Sequence, residues 1–437
     1  MVRIGLALVL TLALSLGLSR VSLTQAQETH TVVISGLNAP RGMTFGPDGK
    51  LYVAEAGTGG DEQSDWVPPF RTAKIGKTGR IVRIDDGKAI EVASDLQSVA
   101  LGPQAEIVGA QELAFIGDTL YAVVGQANAL PGGKETFSLL VKIGADGKAE
   151  TVADLGKYEK ENNPDGTVPD SNPFGLAATP DGNLYVVDAG GNDLLKVTPD
   201  GEISTVIAWK DNAVPTSVAF DKSGQAYVTF LSPFPFAVGS SRLERLNGAT
   251  SQVVVPALTT GVDVKVGPDG NVYVLEHTAE QLPGPPPHFK EKSGRVLRVT
   301  PGGLEAVATG LNFPTKMAFG PDGALYIANN AVGPAGSGEI IKMTLPEKGT
   351  PVTVAPPAPA AAAPSPAAKP SAPAAAAAPS PAAKPAAPSQ APAAAPSPSA
   401  LPRTGVGPDL AASALPVAAT GAGLALAGLA MMRRRRR

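Results

Sequence analysis

Seven polar residues recur at matching places in a repeated unit: Arg41, Glu55, Glu112, Asp188, Asp263, Glu276 and Asn329. Glu55, Asp188, Glu276 and Asn329 each stand three residues beyond a repeat tyrosine, where one strand ends. Arg41, Glu112 and Asp263 stand where another strand begins, in company with Gln111, Phe174, Thr216, Thr315 and Lys316. Gathered at one opening, their carboxylates and cations would bind a small polar ligand or an ion. Equally, they would neutralise one another and plug the opening. A second group, Asn162, Asn163, Asp165 and Asp170, crowds hard oxygen donors into one loop, the chemistry that suits Ca2+. Its order is not that of an EF-hand, and Asn, Asp, Gly and Pro also build ordinary turns. Ca2+ is therefore the one cofactor the sequence nominates. His277 follows Glu276 and could serve as a base, whereas His288 sits in a Pro-rich insert. There is no GxSxG, no HExxH, no phosphate loop and no dinucleotide fingerprint, so no catalytic residue is assigned.

The elements that must position these groups are short strands. Tyr52, Tyr121, Tyr185, Tyr227, Tyr273 and Tyr326 each lie in an apolar run that follows a tight turn, Pro-Asp-Gly in four of the units. Runs of Val, Ile and Leu broken by Gly and Asp continue each unit, giving four strands, a to d, per repeat. A small all-strand unit repeated six times predicts an all-β, six-bladed propeller. The last unit stops after its third strand. Its outer strand is predicted at the other end, because Thr31 to Pro40 parallels Leu304 to Pro314. The N-terminal strand should therefore complete blade six and protect two edges. In such a meander the a–b and c–d turns share one face and are short here. The b–c and d–a connections share the other face and carry nearly all the long inserts, including 56–78, 96–110, 125–137, 155–173 and 277–293. Long loops on a rigid scaffold are where binding concentrates.

The ends of the 437-residue chain lie outside that repeat. Residues 1–26 read as a secretory signal, with Arg3, an apolar stretch, and Thr24-Gln25-Ala26 before the cut. The propeller is assigned to 27–347. Residues 348–400 collapse to Pro, Ala and Ser, a disordered spacer that would reach on the order of 160 Å as polyproline II. Residues 401–437 hold Leu401-Pro402-Arg403-Thr404-Gly405, an apolar segment and Arg433 to Arg437. The tail resembles the LPxTG sorting signal of Gram-positive surface proteins. That resemblance implies a sortase as partner, cleavage between Thr404 and Gly405, and attachment to the cell wall. The other reading is a permanent C-terminal membrane anchor, and on either reading only this tail touches membrane. Cysteine is absent, so stability must come from packed sheets. A net charge of −3 leaves no basic stripe for nucleic acid. The propeller reads as a monomer.

Tyr158-Glu159, Asn162 to Gly166, Ser171 to Ala177, Val186 to Leu195, Ala213 to Val218 and Phe234 to Gly239 together resemble the ScyD/ScyE family of exported propellers. That family takes its name from the gene cluster for scytonemin, a cyanobacterial sunscreen pigment. The resemblance covers about residues 30–346 and implies a six-bladed, NHL-like fold, without a settled activity. The gluconolactonase group is more distant. Its metal ligands are expected at strand starts where this chain has Arg41, Pro173-Phe174-Gly175 and Pro215-Thr216-Ser217, which removes them. The preferred expectation is a displayed binding or scaffold domain. The alternative is an extracytoplasmic enzyme acting on a small polar or sugar-like molecule, and a third is a role in secondary-metabolite assembly.

Overall fold

The computed structural model describes residues 30–64, 73–101, 106–125, 137–233, 235–282 and 288–352. The signal segment, most of the spacer and the sorting tail with Thr404 and Gly405 lie outside the described residues. Among the described residues six antiparallel sheets of four to six strands follow one another along the chain, and a two-stranded sheet, Gln281–Leu282 with His288–Phe289, is inserted in the fifth unit. Blade two shows the plan: Ala110–Ile116, Thr119–Val124, Leu139–Ile143 and Ala149–Asp154, each strand hydrogen-bonded to the next. Strand a of each blade is innermost and packs on strand a of its neighbours, from blade one round to blade six and back to blade one. The chain is a six-bladed β-propeller.

Closure follows the prediction. Blade six contributes Met317–Phe319, Leu325–Asn329 and Gly338–Met343, and the N-terminal strand Thr31–Leu37 pairs antiparallel with the last of these. A fourth strand drawn from the opposite chain end satisfies the free edge, so the ring closes by hydrogen bonds between distant residues.

The repeat tyrosines are staples between blades. Tyr52 meets Phe115 of blade two at 5.1 Å, Tyr185 meets Phe220 at 5.4 Å, Tyr273 meets Phe319 at 5.1 Å, and Tyr326 meets Phe45 of blade one at 5.1 Å. Each edge-on or tilted pair adds about 0.5–1.5 kcal/mol beyond its buried area. The hydroxyls of Tyr52, Tyr273 and Tyr326 donate to Asp48, Asp269 and Asp322 of the preceding Pro-Asp-Gly turn, so one residue ties turn, strand and neighbour together.

Short strands Glu62–Ser64, Glu106–Val108, Gln281–Leu282 and His288–Phe289 lie within the expected inserts, and two further elements also depart from the sequence reading. Residues 155–173 are expected as a loop, yet Leu155–Asn162 forms a helix, α1. Asp154 accepts from the Lys157 amide at its start, and Asn163 takes the left-handed conformation at its end. Thr350–Val352, in the stretch whose composition suggests spacer, pairs with Gly303–Leu311 and extends blade five. Arg298 holds this exit by donating to the Pro346 and Glu347 carbonyls while pairing with Glu305 at 2.5 Å.

Candidate functional site

Five of the six blades begin strand a with a β-bulge. The pairing skips between Pro40 and Met43, Ala110 and Glu112, Pro173 and Gly175, Pro215 and Ser217, and Gly261 and Asp263. A bulge adds a residue to one strand and re-aims its side chain. Arg41, Gln111, Phe174, Thr216 and Val262 occupy these extra positions, all buried. One level below them stand Gly42, Glu112, Gly175, Ser217, Asp263 and Lys316. Glycine at 42 is required by close approach: a Cβ there would lie 2.4 Å from the Glu112 Cα.

At this level the channel is closed by its own charges. The Lys316 Nζ lies 3.1 Å from Glu112 Oε2 and 3.8 Å from Asp263 Oδ1, donates to the Thr216 carbonyl at 3.1 Å, and sits 4.8 Å from the Phe174 ring centre. Lys265 adds a second cation, 3.1 Å from Asp263 and 3.8 Å from Glu112. Burial works against the charged form of Lys265, but Asp263 and Glu112 together hold its pKa above the ordinary lysine value. Asp263 also accepts from the Ser217 hydroxyl and the Met317 amide. Two cations thus meet two carboxylates. Of the plug and the pocket expected from sequence, the axis at this depth holds the plug.

Glu55, Asp188, Glu276 and Asn329 do different work. Each accepts from a backbone amide a few residues before strand a of its blade: Asn38, Asn172, Thr259 and Asn312 respectively, at 2.5–2.8 Å. They tie the d–a crossing to the end of strand b. Each also faces strand c, and the partner there varies. Glu55 pairs with Arg80 and Glu276 with Arg295, while Asn329 donates to Glu339 at 2.8 Å. In blade four Arg242 lies over Phe230, 4.3 Å from its centre. In blade three the residue opposite Asp188 is Asp193.

Blade three is therefore acidic and uncompensated. Asp188 is well held by the Ser171 hydroxyl at 2.6 Å and by the amides of Asn172, Gly190 and Gly191. Asp165 accepts from Thr167 and from the Asn192 side chain at 2.8 Å. Glu159 on α1, Asp170 and Asp193 join them, all buried. Burial pushes the Glu159 carboxyl up to about 8, helped by Asp188, Asp165 and Asp170. Burial and Asp188 push Asp170 up to about 8 as well, and burial raises Asp193 well above the carboxylate range. Of the metal candidates read from sequence, Asp165 and Asp170 belong to this cluster. Asn163 donates to the Thr167 carbonyl, and Asn162 turns back to the Tyr158 carbonyl on the exposed side of α1. Among the described residues no three His, Cys, Asp or Glu side chains form a group that could hold a metal ion. Glu159 and Asp193 escaped the sequence reading. Aligning the start of each strand c, where blades one, four and five have arginine, would have revealed Asp193.

Above the plug, at the loop-rich mouth, buried polar atoms lack partners. They are Nε and Nη1 of Arg41, Oε1 of Gln111, Oδ1 of Asn172 and Nε2 of His277. Arg41 donates through Nη2 to the Ile107 carbonyl at 2.6 Å. Burial lowers its pKa to about 10, against the pull of Glu106. His277 hydrogen-bonds through Nδ1 to the Pro314 carbonyl at 2.9 Å and stacks on Phe313. Burial, with Arg41 nearby, lowers it to about 4, which the Pro314 contact opposes. A separate cleft of about 370 Å³ lies on the short-turn face, bordered by Tyr185, Phe220 and Gln225, away from all these groups.

No family model matches the chain, and no curated protein matches it. Among solved structures, an oxidoreductase (glucose dehydrogenase) from Thermus thermophilus is similar over 72% of this chain and 100% of its own, at 17% identity and TM-score 0.48. A gluconolactonase from Xanthomonas campestris is similar over 74% and 90%, at 13% identity and TM-score 0.47. Regucalcin from Agrobacterium tumefaciens, a calcium-binding protein, is similar over 74% and 97%, at 14% identity and TM-score 0.45.

Proposed function

We propose that this chain is a surface-displayed ligand-binding propeller whose loop-rich mouth recognises a small anionic group through Arg41. One observation carries the reading: a buried guanidinium with two unpartnered nitrogens sits directly above a channel whose other charges are already balanced. A buried cation with open donors is costly, and a ligand carboxylate or phosphate would supply the bidentate acceptor that a guanidinium favours. Gln111 and His277 would complete the contact with neutral groups. Display follows from the segments that flank the ring: a secretory signal at 1–26, a Pro/Ala spacer, and LPRTG with the sortase cut at Thr404–Gly405.

The second reading is an enzyme on a small polar or sugar-like substrate, favoured by the free Nε2 of His277. A histidine held near pKa 4 is a weak base at neutral pH, and no nucleophile accompanies it, so binding is the better account. A part in secondary-metabolite assembly rests on the ScyD/ScyE resemblance.

Thermal-shift screening with inorganic phosphate, citrate and glucuronate tests the reading. A rise in Tm with one of these, absent in Arg41→Gln of unchanged basal Tm, supports it. Turnover of a lactone or sugar panel that Arg41→Gln spares and His277→Gln abolishes would replace it with the enzymatic reading. Thr404→Ala should shift the protein from the wall fraction to the membrane fraction.

A further inference from the structure

Four side chains at the mouth carry buried polar atoms that no hydrogen bond reaches among the described residues: Nε and Nη1 of Arg41, Oε1 of Gln111, Oδ1 of Asn172 and Nε2 of His277. Arg41 and Gln111 are 3% exposed, Asn172 2% and His277 0%, so these groups are withdrawn from bulk water. Their signs differ. The Arg41 nitrogens are donors, and the two amide oxygens are acceptors. His277 is an acceptor as well. The Pro314 carbonyl can only accept, so Nδ1 holds the proton in that 2.9 Å bond, and the lowered pKa of the ring leaves Nε2 a bare lone pair at neutral pH. One open fork of donors thus stands with three open acceptors.

The four lie along one arc of the ring. The Arg41 charge reaches His277, whose ring stacks on Phe313 where the chain enters blade six. Strand a of blade one packs on strand a of blade two, and a Cβ at Gly42 would fall 2.8 Å from the Gln111 carbonyl oxygen. Gly125 keeps the next interval open: a Cβ there would fall 2.8 Å from Asn172 Oδ1 and 3.4 Å from Gln111 Cγ. The opposite arc is different. Phe174 and Val262 fill the bulge positions of blades three and five without a polar side-chain atom, and between them the Thr216 hydroxyl is already bonded to Thr229 and to the Gly261 carbonyl. The mouth therefore has a polar edge and an apolar wall.

We propose that the ligand of this mouth is a small hydroxycarboxylate, with its carboxylate on the Arg41 fork, its hydroxyls donating to Gln111, Asn172 and His277, and its carbon face toward Phe174 and Val262. The inference rests on the anion-binding reading of Arg41 and narrows it. An anion with no hydrogen to donate would satisfy Arg41 and leave three buried acceptors unmet, each at a cost. An ammonium would meet the acceptors but finds no open carboxylate. Glu112 and Asp263 hold the lysines, Glu55 and Glu276 hold arginines, and Glu106 already acts on Arg41. Neutral hydroxyls avoid that conflict, and a site built to receive a hydroxyl strongly rejects the analogue that lacks it.

Calorimetry and thermal melting of the intact chain with matched acids test this. Quinate and cyclohexanecarboxylate share a ring and a carboxylate and differ only in hydroxyls; glucuronate is a second hydroxy acid, and inorganic phosphate is a simple anion. At neutral pH quinate or glucuronate should bind at least about 10-fold more tightly than cyclohexanecarboxylate or phosphate. Gln111→Leu and Asn172→Leu should each narrow that gap, and Arg41→Gln should abolish binding of every acid. If a leucine variant does not fold, the comparison of acids on the wild type decides alone. Cyclohexanecarboxylate or phosphate binding as tightly as the better hydroxy acid, and lost in Arg41→Gln, overturns this inference and leaves the Arg41 reading standing. Binding of no acid, or binding that survives Arg41→Gln, overturns both.

Discussion

The axis and blade three bury comparable amounts of charge and handle it in opposite ways. At the axis, Glu112 and Asp263 meet Lys316 and Lys265 within 4 Å, and every group has a partner of opposite sign. In blade three and the segment before it, five carboxyl groups are buried, and among the described residues no lysine or arginine forms an ion pair with any of them. Charge that a fold balances internally serves the fold. Acids that it buries without a counter-charge are pushed toward the protonated form, as burial does for Glu159, Asp170 and Asp193.

That contrast can be broken from either side. The largest effect is expected from Lys316→Met, which unbalances the axis. Removing one partner of a buried pair should cost about 3–5 kcal/mol in denaturant unfolding. His277 asks whether the mouth behaves like one region or the other. The unfolded chain takes up a proton near pH 6.5 that the folded chain refuses until about pH 4. Its contribution to stability is thus complete above 6.5 and is lost as pH falls through that window, by about 3 kcal/mol. The difference between wild type and His277→Gln, followed from pH 7 to pH 4, should show this slope. Asp193→Arg makes the opposite change to Lys316→Met, balancing blade three. It should gain about 1.5–3 kcal/mol, the worth of a charged hydrogen bond to Asp188. At the bottom of the scale, Lys196→Ala breaks the exposed pair with Asp181 and should leave Tm unchanged.

The propeller itself was legible because its grammar is local. The Pro-Asp-Gly turn, the tyrosine and the apolar run lie within a dozen residues, and the closure shows as similarity between Thr31 to Pro40 and Leu304 to Pro314. The candidate site was only half legible. Counting from each tyrosine gives height along a strand, not distance from the axis. Arg41, Glu112 and Asp263, on innermost strands, do reach the centre. Glu55, Asp188, Glu276 and Asn329 share their height but sit one strand further out, where they hold the crossings instead. The helix was missed because eight residues containing Gly156 carry little periodicity, and its start depends on the Asp154 cap rather than on propensity. The acids of blade three come from three separated stretches, so only the register between strands b and c brings them together.

The three residues Thr350–Val352, the last of the described residues, lie on the outside of blade five. Any pull on the segment that follows therefore arrives first at a short, peripheral rung, backed by the Arg298 grip on Glu347. Peeling that rung would spend force in small steps. The clasp between the first strand and blade six sits on another wedge, and it would feel the load only after the rung had let go.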